Sequence, residues 1–305
     1  MVKDNNKIVI VGSSNTDLVI RVDHFPKASE TIMGSDFMTA QGGKGANQAV
    51  AVARLGGKAV FVACLGKDTF GEATLTALRA EGIDTRYVKL TADAATGVAT
   101  ITVDDSGENS IIVAAGANAL LSPEDVGDAS GEISSAALVL MQLETPMPTL
   151  IEAARLAHNG GAKVVLNPAP FPKQPLPAEL LQNVDIVIPN ETEAAYMTGV
   201  EVTDDASALA AIRRIQQLGV SNAIITVGSK GAYTLDGDNL LHVPAFVVNA
   251  VDTTAAGDTF CGAFCVALTK GFAMADAIRM ANKAASVSVT RRGAQPSVPT
   301  AAEVF

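Results

Sequence analysis

One run of this sequence places a carboxylate among small residues where a helix is predicted to begin. It spans residues 252–258, Asp-Thr-Thr-Ala-Ala-Gly-Asp, and an apolar run with helical spacing follows it. Because Ala255, Ala256 and Gly257 carry no bulky side chains, free backbone N–H groups there could converge on an anion. An ionised Asp258 in the first turn could accept a proton from an alcohol. The run thus indicates anion binding beside a base, although a plain capped helix would use the same residues.

A second glycine-rich run, residues 41–47 (Gln-Gly-Gly-Lys-Gly-Ala-Asn), also precedes a predicted helix. Paired glycines allow the backbone to approach a ligand closely and can act as a hinge, although an ordinary loop is the simpler interpretation. Neither run is a Walker loop, and no dinucleotide fingerprint, zinc motif or hydrolase elbow occurs in the sequence. The three cysteines lack metal-type spacing. These absences argue against P-loop ATPases, dinucleotide enzymes, zinc enzymes and serine hydrolases.

The elements that must position these runs alternate between short β-branched stretches and helical stretches. Most of the strands are almost entirely apolar, which is typical of parallel strands covered by helices on both faces. We therefore predict an α/β fold with a doubly wound, mostly parallel central sheet flanked by helices. The predicted strands are Ile8–Val11, Ala59–Cys64, Ala137–Met141, Lys163–Leu166, Asp185–Ile188 and Ala223–Thr226, and the predicted helices are Ala46–Leu55, Phe70–Glu81, Thr149–His158 and Ser207–Leu218.

Two stretches break this rhythm, because residues 18–34 and 96–113 alternate polar and apolar positions and contain turn signals. They predict a small β-sheet lid, inserted at about 15–42 and 96–115 into a single domain of residues 1–305. A small isolated sheet would expose an apolar face. Burial against a ligand, a second subunit or both is therefore expected.

Hydrogen-bonding side chains follow the predicted strands. Asn15 and Asp17 follow the first strand, Glu144 follows the third, and Asn190 with Glu193 follows the fifth. Ligands of open parallel sheets bind at this edge, and uncharged and acidic groups suit a polyhydroxylated ligand. Simpler interpretations remain open, since Asn15 and Asp17 could form an Asx turn and Asn190 with Glu193 a helix capping box. Glu144, beside a buried strand, needs partners and is a candidate ligand contact.

Charge and hydropathy narrow the possible partners. The 305 residues include 22 basic and 32 acidic side chains, a net charge of -10 that opposes binding to nucleic acid. No stretch resembles a signal peptide or a membrane span, so a cytoplasmic protein without a membrane partner is expected. Thr300 and Glu303 resemble a capping box that opens a helix, yet the sequence stops at Phe305. Either that helix is missing or the sequence is trimmed.

Together these motifs resemble those of the ribokinase family of carbohydrate kinases. The likeness runs nearly end to end, through Gly12-Ser13 with Asn15 and Asp17, residues 42–48 (Gly-Gly-Lys-Gly-Ala-Asn-Gln), Asn167-Pro168-Ala169-Pro170, Asn190-Glu191-Thr192-Glu193, residues 252–258 and residues 289–295. The resemblance implies a helix-flanked central sheet with a β-lid used for dimerisation. It also implies transfer of the γ-phosphate of ATP to the 5-hydroxyl of ribose, with Mg²⁺ and an activating K⁺.

The resemblance also implies a role for individual residues. Asp258 would be the base, with an anion hole formed by Ala255, Ala256 and Gly257. The sugar would be held by Asn15, Thr16, Asp17, Gly43, Lys44, Gly45, Ala46, Asn47, Glu144 and Asp258. The nucleotide would be lined by Asn190, Thr226, Val227, Gly228, Ser229, Lys230, Gly231, Gly257 and Asn282. Glu193 would act on Mg²⁺ through water, and K⁺ would lie near Asp252, Thr254, Ser288, Arg291, Gly293 and Ser297.

The motifs define the substrate less closely than they define the family. Ser14 and Thr16 depart from the common pattern of the first motif, and Ala255-Ala256 replaces the frequent Gly-Ala. A kinase for 2-deoxyribose, another sugar or a nucleoside is therefore the first alternative. A sugar-binding sensor without catalysis is an alternative of a different class, and an NAD-dependent oxidoreductase is a more distant one.

Overall fold

Apolar β-branched runs form the strands of this chain, and the computed structural model describes residues 4–172 and 174–305. The strands are Asp4–Val11 (β1), Asn15–Arg21 (β2), Asp36–Gly42 (β3), Lys58–Gly66 (β4), Asp84–Thr91 (β5), Gly97–Val103 (β6), Asn109–Ala114 (β7), Ala136–Met141 (β8), Lys163–Leu166 (β9), Ile186–Val187 (β10), Asn222–Ala223 (β11), Ile225–Thr226 (β12), Ala232–Asp236 (β13) and Asn239–Val243 (β14).

Helices connect most of these strands and cover the sheet. They are Lys44–Arg54 (α1), Thr69–Ala80 (α2), Pro123–Asp128 (α3), Ser130–Ser135 (α4), Met147–Gly160 (α5), Ala178–Leu181 (α6), Glu191–Thr198 (α7), Asp205–Gln217 (α8), Ala256–Thr269 (α9), Met274–Ser288 (α10) and Ala301–Val304 (α11). In the described part of the chain, no helix is long and apolar enough to cross a membrane.

The central sheet has the order β11-β10-β9-β8-β1-β4-β5, and its paired strands run parallel. Successive side chains of β1 point to opposite faces. Ile8 and Ile10 pack into a core beneath α1, α9 and α10, whereas Val9 and Val11 pack into a second core beneath α5 and α8. The predicted α/β fold with its doubly wound parallel sheet is confirmed.

The fold differs from the prediction at the less apolar strands. β5 was not predicted, because its sequence DTRYVKLT is half polar, as suits a strand at the edge of the sheet. The predicted strand 223–226 is split, since Asn222–Ala223 joins the central sheet and Ile225–Thr226 joins a separate sheet with β13 and β14. That second sheet was also not predicted. Its strands supply one wall of the cavity described below.

The predicted lid is a separate sheet of order β3-β2-β6-β7, built from the two expected insertions. β2 pairs antiparallel with β3 and parallel with β6, and β6 pairs antiparallel with β7. Several large apolar side chains of this sheet are exposed, including those of Phe37, Met38, Ile111 and Ile112. The lid sheet thus exposes apolar side chains to solvent, as its sequence predicted.

One carboxylate fastens the base of the lid to the central domain. Asp68 is the N-cap of α2 and accepts hydrogen bonds from Gly71 N at 2.8 Å, Thr96 Oγ1 at 2.7 Å and Thr96 N at 2.8 Å. Burial alone would raise the pKa of Asp68, but these hydrogen bonds lower it below its usual value. Because Thr96 directly precedes β6, the ionised carboxylate fixes the point where the chain enters the lid.

The predicted capping box near the end of the sequence is also present. Thr300 N and Thr300 Oγ1 donate to Glu303 Oε2 at 2.8 and 2.9 Å, and a helical turn, Ala301–Val304, follows. The helix expected at this position therefore begins within the described residues. The division into a single domain of residues 1–305 stays a prediction.

Candidate active site

A polar cavity of about 240 Å³ opens where the carboxyl ends of the central strands meet the N-terminus of α9. This is the edge at which open parallel sheets bind ligands. The residues around it come from distant parts of the sequence and include most of the predicted catalytic residues. They are Lys44, Asn167, Ala169, Ile188, Asn190, Glu193, Thr226, Thr253, Ala255, Ala256, Gly257, Asp258 and Cys261.

Asp258 lies in the first turn of α9 with only 6 % of its surface exposed. Its Oδ2 accepts a hydrogen bond from Asn47 Nδ2 at 3.0 Å, and its Oδ1 accepts one from Gln48 Nε2 at 2.9 Å. Both donors belong to α1, the helix that follows the second glycine-rich run. The structure therefore brings the two chemically suggestive runs of the sequence together around one buried carboxylate.

The backbone before Asp258 leaves a donor free at the helix start. Ala255 is the N-cap of α9 and has the left-handed φ of 57°, which is unusual for a residue other than glycine. Ala256 N donates to Thr253 O at 3.2 Å, so this amide of the predicted anion hole is engaged in a turn. A Cβ added to Gly257 would meet no atom within 4 Å, so its backbone faces open space in the cavity. An anion could approach this N–H closely.

The predicted sugar-binding carboxylates lie beside the glycine-rich run. Glu144 Oε2 accepts from Ser13 Oγ at 2.5 Å and from Lys44 N at 3.1 Å. Asp17 lies so close to Gly42 that a Cβ added to the glycine would collide with the Asp17 carboxylate. Burial, together with the negative charge of Glu144, raises the pKa of Asp17 to about 6.

Two further predicted sugar contacts lie on opposite faces of β2. Asn15 Oδ1 accepts from Asn118 Nδ2 at 2.8 Å, which fixes the orientation of its amide. Thr16 alternates with Asn15 and Asp17 along the strand and points to the other face of the lid sheet. The side chain of Thr16 therefore lies on a different face from those of Asn15 and Asp17, and a sugar contact of Thr16 stays a prediction.

The loop at the start of α1 is shaped to hold its backbone close to the first motif. Gly43 has a φ of 87°, and a Cβ there would meet Asn15 N and Ser14 Cα at 2.7 Å, so only glycine fits. Gly45 and Ala46 follow in the first turn, where Ala46 N donates to Ser13 O at 2.9 Å. Asn47 Oδ1 is buried and has no hydrogen-bond partner among the described residues. Such an acceptor suits a ligand hydroxyl.

Lys44 supplies positive charge among three acidic side chains of the cavity region. Burial alone would lower the pKa of Lys44, but the negative charges of Asp258, Glu144 and Glu193 raise it above its usual value. Burial and the charge of Asp258 raise the pKa of Glu193, against the effects of the Asn190 N–H and of Lys44. The site therefore combines a firmly protonated lysine with carboxylates that it partly neutralises.

Three of the nine predicted nucleotide residues, Asn190, Thr226 and Gly257, line the cavity. Glu193 N donates to Asn190 Oδ1 at 2.8 Å, and Asn190 N donates to Glu193 Oε2 at 2.9 Å, so the capping-box interpretation of this pair is confirmed. Both side chains nevertheless line the cavity, as does Thr226, which pairs with Asn190. The turn Gly228–Lys230 follows, between Val227 and Gly231, and includes Ser229.

Asn282 lies on α10 and does not line this cavity. Its Nδ2 donates to Val243 O at 3.0 Å and to Pro244 O at 3.2 Å. These bonds hold the segment that follows β14 next to α10. A nucleotide contact of Asn282 stays a prediction.

The residues predicted to surround a monovalent cation form two neighbouring groups. Asp252 accepts from Thr254 N, Thr254 Oγ1 and Gly293 N at 2.9, 2.6 and 2.8 Å, which joins two distant segments. Burial alone would raise the pKa of Asp252, but these hydrogen bonds lower it. The second group is a pair of hydroxyls, since the Oγ atoms of Ser288 and Ser297 lie 2.7 Å apart.

The guanidinium of Arg291 pairs with the carboxylate of Glu303 near the end of the chain. Arg291 could therefore contribute to a cation site through its backbone carbonyl rather than through its side chain. Carbonyl, hydroxyl and carboxylate oxygens are the donors that a hard cation prefers. The donor chemistry of this region fits such an ion.

Comparison with known proteins assigns the family. The sequence model of the pfkB family of carbohydrate kinases matches residues 5–301. The chain belongs to the pfkB family. This pfkB-family kinase is 46 % identical to the ribokinase of Haemophilus influenzae over 98 % of the chain and 97 % of the relative. It is 38 % identical to the deoxyribokinase of Salmonella typhi, over 96 % of the chain and 95 % of that protein.

A solved structure supports the same assignment of fold. The structure of the Arabidopsis thaliana ribokinase complexed with ribose and ATP superposes on this pfkB-family kinase with a TM-score of 0.93. The two sequences are 35 % identical, and the match covers 100 % of this chain and 98 % of the other. The resemblance inferred from the motifs is therefore confirmed at the level of family and fold.

Several residues of the site received no role from the sequence. Gln48, Gln142 and Asn167 form a buried amide network behind Asp258, and Ser13 bonds to Glu144. Their positions after strands or within motifs drew attention to this edge, but which partners they meet depends on long-range packing. Cys261 lines the cavity of this kinase one turn after Asp258, and burial holds the pKa of its thiol well above the usual value.

The raised pKa of Asp17 predicts a pH-dependent affinity for sugar. An ionised Asp17 can accept hydrogen bonds from hydroxyls, and its ionised fraction falls as the pH drops through about 6. If only the ionised form binds, the KM for sugar rises about 10-fold by pH 5, since one tenth of the molecules remain competent. Steady-state kinetics between pH 5 and 8 test this, and Asp17→Asn should flatten the profile. A wild-type KM independent of pH would contradict it.

The raised pKa of Asp17 also affects the free energy of unfolding. The pKa of Asp17 in the folded state, about 6, lies above its usual value of 3.8, so folding takes up a proton between these values. The burial of this charge therefore lowers the free energy of unfolding above pH 6. That penalty disappears as the pH falls from about 6 towards 3.8. Asp17→Asn should accordingly stabilise the protein more at pH 8 than at pH 4.5.

Proposed function

We propose that this pfkB-family kinase is a ribokinase, which transfers the γ-phosphate of ATP to the 5-hydroxyl of D-ribose to give ribose 5-phosphate and ADP. The observation that carries this proposal is the buried Asp258 at the N-terminus of α9, facing a cavity that Lys44 and Glu193 also line. The full-length similarity to ribokinases supports the choice of sugar.

In this proposal Asp258 accepts the proton of the sugar hydroxyl as the bond to phosphorus forms. The backbone N–H of Gly257 and the N-terminus of α9 stabilise the charge on the transferred phosphoryl group. A helix N-terminus contributes roughly 0.3 to 2 kcal/mol, whereas alignment of two reactants contributes about 7 to 11 kcal/mol. Most of the acceleration therefore comes from the residues that hold the two substrates in register.

The sugar would be held between the first motif and the start of α1. Asp17 and Glu144 offer acceptors, Asn15 offers its Nδ2 as a donor because its Oδ1 is bonded to Asn118, and Asn47 offers its unpartnered Oδ1 beside Asp258. An unpaired buried acceptor rejects a ligand that lacks the matching hydroxyl. This arrangement favours a polyhydroxylated substrate over an apolar one.

Glu193 is the side chain best placed to act on Mg²⁺, through a bridging water. The described residues contain no cluster of three or more His, Cys, Asp and Glu side chains that could hold a metal ion. Kinases bind Mg²⁺ through one or two carboxylates together with substrate phosphates and waters. When bound, the ion neutralises the charge of the phosphate oxygens. Lys44 supplies further positive charge beside Glu193.

A monovalent cation, K⁺, would bind near Asp252, Thr254, Ser288, Arg291, Gly293 and Ser297. Both oxygens of Asp252 already accept N–H bonds, from Thr254 and Gly293, so this carboxylate holds those two segments together. Backbone carbonyl and side-chain hydroxyl oxygens would supply the remaining ligands of the cation. The segment runs directly into Ala255 and the anion hole. A cation bound there would order the start of α9.

We therefore expect K⁺ to raise the kcat over the value measured in Na⁺ at equal ionic strength. Initial rates of ADP release in the two chloride salts provide the measurement. Asp252→Ala should remove the difference in kcat between the two salts, because it removes the hydrogen bonds that join Thr254 to Gly293. Asp238→Ala, at an exposed surface position, should preserve the difference. Identical rates of the wild-type enzyme in the two salts would count against the cation site.

The exposed apolar side chains of the lid support a homodimer formed through the lid sheets. The sheet presents Met38, Ile111 and Ile112 without a covering element of this chain, and apolar sheets of this kind favour burial. Sedimentation of the wild type and of an Ile112→Lys variant tests the proposal. A cytoplasmic location is proposed as well.

A sugar panel tests the central proposal. Ribose, 2-deoxyribose, hexoses and nucleosides are each offered with ATP, and ADP release is recorded. We expect the highest kcat/KM for ribose. Preference for 2-deoxyribose would support the alternative suggested by the deoxyribokinase relative, and sugar binding without ADP release would support a sensor instead.

A further inference from the structure

Behind the candidate base lies a buried amide that contacts no cavity. Gln48 is fully buried on α1, and each polar atom of its side chain has a partner. Its Nε2 donates to Asp258 Oδ1 at 2.9 Å and to Asn167 Oδ1 at 3.2 Å. Its Oε1 accepts from Gln142 Nε2 at 2.6 Å. These three bonds fix the side chain completely.

The partners of Gln48 also fix which way its amide faces. Asn167 Nδ2 donates to Ile188 O at 3.0 Å, a carbonyl that can only accept, so Asn167 Oδ1 faces Gln48. The Nε2 end of Gln48 must therefore point towards Asn167 and Asp258, which leaves Gln48 Oε1 to accept from Gln142 Nε2. A reversed Gln48 would place its Oε1 against an Asp258 oxygen.

This network connects Asp258 to the ends of the central strands. Gln142, Asn167 and Ile188 directly follow or lie just beyond β8, β9 and β10, which are adjacent in the central sheet. Gln142 is fully buried and Asn167 is 8 % exposed. The orientation of Asp258 Oδ1 is thus set by the ends of three neighbouring strands, through one side chain of α1.

We propose that Gln48 is a positioning residue for proton transfer, which holds Asp258 Oδ1 so that Asp258 Oδ2 remains on the side of Asn47 and the sugar. The inference rests on the proposed kinase function and adds a residue that acts through the base. Hydrogen bonds donated to a carboxylate favour its ionised form, the form that can accept a proton. An amide provides this donor without the full charge of a lysine or arginine.

The test compares Gln48→Met with wild type and with Thr149→Val. Methionine has a similar length but donates no hydrogen bond to Asp258. Thr149 is fully buried and donates to Leu121 O at 2.6 Å at the start of α5, so its valine variant removes one buried hydrogen bond away from the cavity. We expect Gln48→Met to lower kcat about 10- to 100-fold, the range for loss of a group that orients a reactive ligand.

The KM values for ribose and ATP should change less than about two-fold in Gln48→Met. Thr149→Val should lose thermal stability but keep its kcat. Gln142→Met removes only the donor to Gln48 Oε1 and leaves the Gln48–Asp258 hydrogen bond in place, so a smaller loss of kcat is expected. A Gln48→Met enzyme with wild-type kcat would overturn the proposal, as would equal losses of kcat in Gln48→Met and Thr149→Val.

Gln48→Glu provides a signature that a purely structural role would not give. A protonated carboxyl group at position 48 can donate to Asp258 as the glutamine does, whereas an ionised one cannot, and two adjacent carboxyl groups retain a shared proton to higher pH. The kcat of Gln48→Glu relative to wild type should therefore be highest at acidic pH and fall as the pH rises. Lys44, Glu193 and Cys261 also face this region and are common to both enzymes. A ratio independent of pH would overturn the proposal.

Failure of the proposed function gives a different result from failure of this inference. If wild type phosphorylates no ribose, the ribokinase proposal fails before any variant is compared. If wild type is active on ribose and Gln48→Met is equally active, the function stands and the positioning role is wrong.

Discussion

Replacing Asp258 with asparagine should lower the kcat for ribose phosphorylation by about 10²- to 10⁴-fold, the usual contribution of a general base. Asparagine has nearly the same shape as aspartate but cannot take up the proton of the hydroxyl. The cavity and the helix N-terminus are retained, so the affinity for ATP should change little. ADP release in a coupled assay gives kcat, and calorimetry gives the ATP affinity.

The Asp258→Asn variant should also be somewhat less stable than wild type. Asn47 Nδ2 and Gln48 Nε2 both donate to the carboxylate, and an asparagine oxygen can satisfy only one of them. One buried donor would then face another, at a cost of about 1 to 3 kcal/mol in unfolding free energy.

Asp238→Asn is the matched control for this change. The Asp238 side chain is 95 % exposed and pairs only with Arg213 on the surface, so kcat should be unchanged. Near wild-type turnover of Asp258→Asn would refute the role of Asp258 as the base.

Replacing Lys44 with methionine should have the second largest effect, a loss of about 10²- to 10³-fold in kcat. Among the described residues that line the cavity, Lys44 is the one lysine or arginine. Its positive charge offsets the negative charges of Asp258, Glu144 and Glu193. Without it, the carboxylates of Asp258 and Glu193 would face an incoming triphosphate in a protein whose net charge is already -10. The KM for ATP should rise as well.

The Lys44→Met effect should depend on position rather than on net charge. Lys58→Met removes the same charge from a side chain that is 67 % exposed and pairs with Asp4 at the surface, and it should leave kcat unchanged. Kinetics over a range of ATP concentrations separate the change in KM from the change in kcat. A loss of less than about five-fold in Lys44→Met would show that other groups carry the charge of the phosphate.

The sequence predicts best the parts of the fold that depend on local pattern. The wholly apolar runs of β1, β4, β8 and β9 match the observed strands, because burial on both faces removes polar residues from such strands. The capping boxes at Asn190 and Thr300 were recognisable for the same reason, since both partners lie three residues apart.

Features that depend on distant contacts were not predictable in this way. The bonds from Gln48 reach Asn167 and Asp258, which lie 119 and 210 residues away along the chain. No local pattern marks a glutamine in the middle of an alanine-rich helix as a partner of a carboxylate. β5 was missed for a different reason, because its polar residues suit an edge position that only the assembled sheet defines.

Because Asp68 bonds both to the start of α2 and to the entrance of the lid, it limits how lids can be exchanged between kinases. The same carboxylate caps α2 through Gly71 and holds Thr96 at the entrance to β6. A chimera that receives the lid of another kinase must therefore inherit positions 68 and 96 as a matched pair. Grafting the lid strands without Thr96 would keep the cap of α2 but lose the hydroxyl that bonds to Asp68 at the entrance to β6.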